Sequence, residues 1–309
     1  MKEDLRDEIE IRDGQLVGAL RAPVNPMRKA EGSIHDEGEA RKLGFRGGLV
    51  AGSIHMEQLA PVLVRAFGEA WLERGTISLY FLTPTLLGEE VRAIIEAPPA
   101  DPSDTQVEAW MEKADGTRIC EGTASIGSPF EPSALYARKL DKHAAGELRI
   151  LEGATRGDEF PMVDTSVPHE KLDERLKVIT EPMHWYIDDS RWTGRVATMV
   201  NQVNALMAPA DAYLREMRAG AIGLYGAIEL RNVSGPMLVD TPYRSGGTLL
   251  YAGETPKTEY LWFDTWADDA EHKRIVEMRM MLRFMKASSP KYAADAAASA
   301  EATTGAATA

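Results

Sequence analysis

A histidine and a glycine-rich segment lie close together near the start of the chain, and together they could carry acid–base chemistry. The histidine is His35, and four glycines follow it, at positions 44, 47, 48 and 52. An imidazole can take up or release a proton near neutral pH. Glycines let the backbone pass close to a ligand, and the first N–H groups of a helix can bind a developing oxyanion. This combination is the minimum for chemistry at a carbonyl or alpha to it.

Two parts of the chain show the same order of predicted elements: an opening strand, a helix and then several long strands. In the first part the opening strand falls in Glu8–Val24, and apolar residues at helical spacing run from Ile54 to Phe67. Pro61 predicts that this helix starts near Ala60 or kinks there. Strands are predicted over residues 76–82, 90–96, 106–113 and 118–126, and the Asp115–Gly116 pair predicts a hairpin between the last two.

The second part repeats this order after a segment rich in proline, glycine and charge. An opening strand is predicted over 184–187, a helix over 196–207, and strands over 222–233, 247–252, 259–266 and 275–285. Gly75–Tyr80 and Gly220–Tyr225 share the pattern G-x-I-x-L-Y at matching places, which indicates a duplication. An antiparallel sheet that curls around one apolar helix buries both elements. We therefore predict an α+β double hotdog.

The predicted domain boundaries follow from these patterns. Residues 1–127 form an N-terminal hotdog with the His35 loop, 128–178 a linker with short helical turns, 179–286 a C-terminal hotdog, and 287–309 a disordered tail rich in alanine and threonine. A cluster between residues 184 and 191 is a candidate for the wall opposite His35. The second half is expected to hold the substrate tail or to seal the pocket, and a homodimer is compatible with this arrangement.

Composition excludes several classes of function. The 35 Lys and Arg residues against 48 Asp and Glu give a net charge of −13, which opposes binding to nucleic acid and to anionic membranes. Cys120 is the single cysteine, so the chain can form no internal disulfide and no four-cysteine metal site. The six histidines show no HExxH or HxH spacing, and we expect no metal and no cofactor. No secretory signal or long apolar run is present, which favours the cytoplasm.

The His35 segment resembles the MaoC-like hydratase/dehydratase family of hotdog proteins. The resemblance rests on Ser33–His35, Ala40, Gly44–Phe45 and Val50–Gly52 in the family's order. It implies that His35 is the catalytic histidine and that Gly52 supplies the oxyanion N–H. It also implies a lyase that adds or eliminates water at an enoyl or 3-hydroxyacyl thioester, with coenzyme A or another carrier.

The chain departs from the family where the catalytic aspartate is expected, because Ala30 stands there. Glu31 is the best-placed substitute. Four interpretations stay open: a hydratase that uses His35 and Glu31, a hotdog acyl-thioesterase, another reaction in the same pocket, and small-molecule binding without turnover. The predicted substrate-binding residues are Arg46, Gly47, Gly48, Ser53 and His55, although the apolar stripe beside His55 favours a packed role for that histidine.

Overall fold

The computed structural model describes residues 8–25, 33–141, 146–188, 191–218 and 220–293. The strands are β1 (Glu10–Arg12), β2 (Gln15–Val17), β3 (Gly75–Phe81), β4 (Val91–Glu96), β5 (Thr105–Lys113), β6 (Arg118–Ile126), β7 (Glu159–Thr165), β8 (Gly223–Asn232), β9 (Tyr243–Glu254), β10 (Thr258–Asp268) and β11 (Arg274–Met285). The helices are α1 (Glu37–Lys42), α2 (Gly52–Gln58), α3 (Ala60–Phe67), α4 (Trp71–Arg74), α5 (His169–Leu176), α6 (His184–Ile187) and α7 (Met199–Leu214), and short 3₁₀ helices follow at Lys286–Ser288 and Pro290–Tyr292.

Within these ranges, one antiparallel sheet of 11 strands has the order β1-β2-β4-β5-β6-β3-β8-β11-β10-β9-β7. The order shows the duplication, because β2-β4-β5-β6-β3 on one side corresponds to β7-β9-β10-β11-β8 on the other. The two halves join where β3 pairs with β8, with Leu79 opposite Ile228. The first G-x-I-x-L-Y match lies in β3 and the second ends in β8, so the strands that carry the two matches pair at the centre of the sheet.

Strand β7 lies inside the predicted linker, which the sequence patterns assigned only short helical turns. It pairs with β9, with Phe160 opposite Gly247, and its register shifts between Phe160 and Val163. Its outward residues are mostly exposed, so its sequence lacks a continuous apolar alternation. Since β7 occupies the place of β2, we place the start of the second repeat there, upstream of residue 179. The predicted opening strand over 184–187 was wrong, because these residues form the short helix α6.

The central helix of the first half is divided as Pro61 predicted. Helix α2 ends at Gln58, and α3 begins at Ala60 with the proline in its first turn, where the missing N–H costs no helical bond. Helix α7 is the counterpart in the second half and packs against α2. Met56, Leu63 and Leu206 are completely buried in one core that the two halves share.

The opposite face of the sheet is covered in part by the segment after β6. The backbone N–H of Leu135 donates to Ser78 Oγ at 3.0 Å, and its side chain packs with Ala227 and Trp262. In the predicted tail, Tyr292 donates from its hydroxyl to Glu259 Oε1 at 2.6 Å, while residues 294–309 lie outside the described residues. Within the described ranges, no helix combines the length and apolar character that crossing a bilayer requires.

Candidate active site

A cavity of about 550 Å³ lies between the two halves of the chain. Its wall is made by the His35 loop, the start of α2, the segment after β3, one face of α7 and the adjoining ends of β8 and β11; the apolar side chains in it include Ile34, Phe45, Leu49, Phe81, Met207, Leu224, Leu282 and Phe284. His35, Gly52 and His55, three of the predicted site residues, lie in this wall. A cavity of this size with a few polar groups is typical of a small-molecule site.

The ring of His35 is fixed by a hydrogen bond to the main chain. Its Nδ1 lies 2.7 Å from the carbonyl oxygen of Leu49, and since a carbonyl only accepts, Nδ1 carries the proton. Nε2 of the neutral ring therefore has the free lone pair. Burial lowers the pKa of His35 below its usual value, and the hydrogen bond to Leu49 opposes this shift without cancelling it. At neutral pH the ring is therefore uncharged, with its proton on Nδ1 and with Nε2 as the basic nitrogen.

The loop that carries His35 is closed by contacts with the segment before α2. Leu49 donates its N–H to the carbonyl of Ile34 at 3.1 Å, and Asn25 donates from Nδ2 to the same Leu49 oxygen that accepts from His35. Gly48 packs directly on the loop, because a Cβ at this position would lie 2.4 Å from the carbonyl oxygen of His35. Gly48 was predicted to bind substrate; the structure shows a backbone contact that holds His35 in place.

The start of α2 contributes Ala51 and Gly52 to the cavity wall. Ala51 is the N-cap and supplies no side-chain hydrogen bond to the helix. The first amides of a helix have no acceptor within it, so a ligand oxygen can take this place. Gly52 is required here by close packing, since a Cβ would lie 2.4 Å from Cζ of Phe81. The structure thus brings Gly52 and His35 to one cavity.

His55 is a packed residue rather than a proton carrier. It is 3% exposed, and its Nδ1 lies 3.1 Å from Oε1 of Gln58. Burial is the main cause that lowers the pKa of His55 to about 4, so the ring is neutral at physiological pH. Its Nε2 is buried and has no hydrogen-bond partner in the structure. The residue borders the cavity, and both of its ring nitrogens are withdrawn from solvent or paired with Gln58.

The remaining predicted residues are placed differently. Arg46 has a largely exposed side chain 3.4 Å from Glu89, and it is not among the residues of the cavity wall. Gly47 and Ser53 are buried and also lie outside the wall. Glu31 lies outside the described residues. The structure therefore groups His35 and Gly52 as reactive candidates and gives Arg46, Gly47 and Ser53 no contact with the cavity.

Helix α7 contributes part of the cavity wall from the second half of the chain. Asn204, Met207 and Asp211 follow one another at helical spacing on the side of α7 that faces the cavity, and Arg218 lies beyond the helix end. The predicted cluster at 184–191 is elsewhere: Arg191 pairs with Glu73 at 2.7 Å. The helix sequence alone does not single out Asn204 and Asp211, since Asn201 and Gln202 are also polar and do not line the cavity.

The Asp211 side chain lines the cavity and is 53% exposed. Its Oδ1 lies 3.6 Å from Nη1 of Arg218. Burial raises the pKa of Asp211, and Arg218 opposes that shift. Tyr225 is a near neighbour: burial and the charge of Asp211 together raise the pKa of its phenol to about 12. Cys120 is buried, and burial raises the pKa of its thiol to about 12, so it is no nucleophile.

Comparisons with known proteins give the fold. No protein-family model matches the sequence, and no curated protein matches it either. A structure assigned to a MaoC domain dehydratase from Chloroflexus aurantiacus has a TM-score of 0.58 at 12% identity and covers 92% of this chain and 99% of that one. A MaoC-like dehydratase has a TM-score of 0.50 at 16% identity, covering 81% and 88%. A structure assigned to a thioesterase from Novosphingobium aromaticivorans has a TM-score of 0.43 at 12% identity, covering 89% and 97%.

The first two comparisons confirm the α+β double hotdog fold and, at the level of the fold, the resemblance to MaoC-like dehydratases. Because identities of this size establish the fold alone, the reaction has to be argued from the site.

Proposed function

We propose that this chain is a hydro-lyase that adds water to an enoyl thioester or eliminates it from a 3-hydroxyacyl thioester. The observation that carries the proposal is the neutral His35 ring in the wall of the cavity, with its proton fixed on Nδ1 by Leu49 and its Nε2 free as a base. Gly52, in the same wall, is the proposed N–H donor to the thioester oxygen as negative charge develops there.

The lining of the cavity suits an acyl chain. Aliphatic and aromatic side chains from both halves surround it, so an apolar chain loses contact with water when it binds. Arg218 stands in the wall with about half of its side chain exposed, which provides a cation for an anionic carrier such as coenzyme A. A cytoplasmic setting, where such carriers are abundant, is part of the proposal.

Water addition needs a second group that exchanges a proton with the α-carbon. Glu31 and Asp211 are the two candidates: Glu31 is next to the position that the MaoC-like resemblance assigns to the family's aspartate, and Asp211 lies in the cavity wall. Asp211 also supports a second candidate function. A carboxylate beside a bound thioester would align water on the carbonyl carbon, which is the requirement for a thioesterase.

One assay separates the candidate functions. Purified protein is incubated with crotonyl-CoA and with longer enoyl-CoA esters, while the absorbance of the conjugated thioester and the release of free thiol are recorded together. The hydro-lyase predicts loss of absorbance without thiol, and a thioesterase predicts thiol release. His35→Ala should lower the hydration rate by about a hundredfold to ten-thousandfold, the usual effect of losing a general base. Binding of acyl-CoA with neither signal would refute an enzymatic role.

A further inference from the structure

The cavity contains one carboxylic acid among its described residues, and it comes from the half of the chain that lacks a histidine loop. We propose that Asp211 is a catalytic residue of this site, the acid that exchanges a proton with the α-carbon of the bound acyl thioester while His35 acts on water. This inference rests on the proposed function and adds a residue from α7 to it. It accounts for Ala30, because a carboxylate delivered by α7 makes one at position 30 unnecessary.

The geometry follows from the packing of the two helices. Helix α7 contacts α2, and Asn204, Met207 and Asp211 lie on its cavity side. Their neighbours on the helix, such as Val203 and Leu206, are completely buried in the core, so the register of α7 is fixed. Asp211 therefore reaches the same cavity as His35 from the second half of the chain. A substrate in the cavity meets one proton carrier from each half.

The electrostatic environment gives the two carriers different roles. Burial lowers the pKa of His35 and raises that of Asp211, whose side chain is 53% exposed beside Arg218. A neutral imidazole accepts a proton, and a carboxylic acid donates one. Arg218, 3.6 Å from Asp211, opposes this rise in its pKa and stabilises the carboxylate that remains after the proton has left.

The hydration step balances with these groups alone. His35 Nε2 takes a proton from water while the hydroxyl oxygen bonds to the β-carbon, and the electron pair of the double bond moves through the α-carbon to the thioester oxygen. The resulting enolate collapses as Asp211 gives its proton to the α-carbon. His35 then holds one extra proton and Asp211 lacks one, and a proton passing through solvent returns both to their starting forms. Dehydration is the same sequence in reverse.

Kinetics of two carboxylate variants test this role. Asp211→Asn keeps the shape and removes the acid, so kcat for enoyl-CoA hydration should fall at least about a hundredfold with little change in KM. The matched control is Glu216→Gln, an exposed residue after α7 that does not line the cavity; its kcat should stay within about twofold of wild type. The dependence of kcat on pH should show the ionisation of Asp211 in the wild type, and this ionisation should be absent from the profile of Asp211→Asn. An active Asp211→Asn protein beside an inactive Glu31→Gln protein would overturn the assignment.

A binding measurement covers the case in which the wild type shows no hydration at all. A non-reactive thioether analogue of an acyl-CoA is titrated by calorimetry at about pH 5.5 in two buffers of different ionisation enthalpy. Ligand that covers Asp211 removes it from water and raises its pKa further, so wild-type protein should take up part of a proton and Asp211→Asn should take up less. Equal uptake by both proteins means that the ligand does not meet Asp211 and overturns the inference. If the wild type shows no hydration but takes up more protons than Asp211→Asn, the proposed reaction is refuted and Asp211 remains a residue of the binding site.

Discussion

Gly48→Ala should displace His35 without touching the cavity directly. The added Cβ would lie 2.4 Å from the carbonyl oxygen of His35, whereas non-bonded heavy atoms prefer about 3.5 Å, so the two backbone segments must separate by roughly 1 Å. Over-packing of this kind costs about 1–3 kcal/mol of stability. A catalytic group displaced by about 1 Å loses on the order of a hundredfold in rate. We expect the hydrogen bond from His35 Nδ1 to Leu49 to be lost as well.

The matched control is Gly47→Ala, because the nearest atom to a Cβ there, Cδ1 of Leu86, is 4.0 Å away. Long-range proton–nitrogen NMR reads the His35 tautomer directly, and thermal unfolding with the enoyl-CoA assay gives stability and rate. Gly48→Ala should show mixed tautomers and reduced activity, whereas Gly47→Ala should resemble the wild type. A Gly48→Ala protein with the wild-type His35 spectrum and rate would refute the argument that this close contact positions the ring.

Three further predictions concern groups around the site. Burial raises the pKa of Glu181 from 4.5 to about 7, so its contribution to stability is complete below about pH 4.5 and is lost as pH rises through 7. The wild type should therefore lose up to about 3 kcal/mol of unfolding free energy between these limits. Urea unfolding at each pH should show that Glu181→Gln no longer has this loss. Glu57→Gln leaves the buried Arg175 without the carboxylate that lies 2.7 Å away, and should lower the free energy of unfolding by about 3–5 kcal/mol. Replacing both Glu57 and Arg175 by methionine should cost less, and a double variant that is less stable than Glu57→Gln would contradict this reasoning. Gly52→Ala should lower Tm and the rate of enoyl-CoA hydration, because the added Cβ would clash with the ring of Phe81. Phe81→Leu in the same chain should restore both.

Much of the fold follows from local patterns that the sequence displays. The strands β8 to β11 are each ten or more residues long, and their predicted positions agree with the structure to within a few residues. Pro61 indicated the division between α2 and α3, because proline is favoured in the first turn of a helix and disrupts a hydrogen bond further in. Strand β7 was missed because an edge strand with exposed outward residues gives no strong alternation.

Half of the candidate site was visible for a similar reason. His35 and Gly52 lie within one continuous segment, so their order along the chain indicated that they belong together. Asp211 and Arg218 reach the cavity only because α7 packs against α2, a contact between distant parts of the chain that spacing does not express. Glycine spacing indicated a close approach at Gly48, and the close neighbour that the structure shows there is the backbone of His35.

The central claim is that water adds across a carbon–carbon double bond in this cavity with His35 as the base. Mass spectrometry of the product formed from an enoyl-CoA in water enriched in heavy oxygen tests it most directly. We predict an intact thioester whose new hydroxyl group carries the heavy oxygen, formed by the wild type and suppressed in His35→Ala. Heavy oxygen in a free carboxylate, with release of thiol, would contradict the account, as would hydration that proceeds at the wild-type rate without His35.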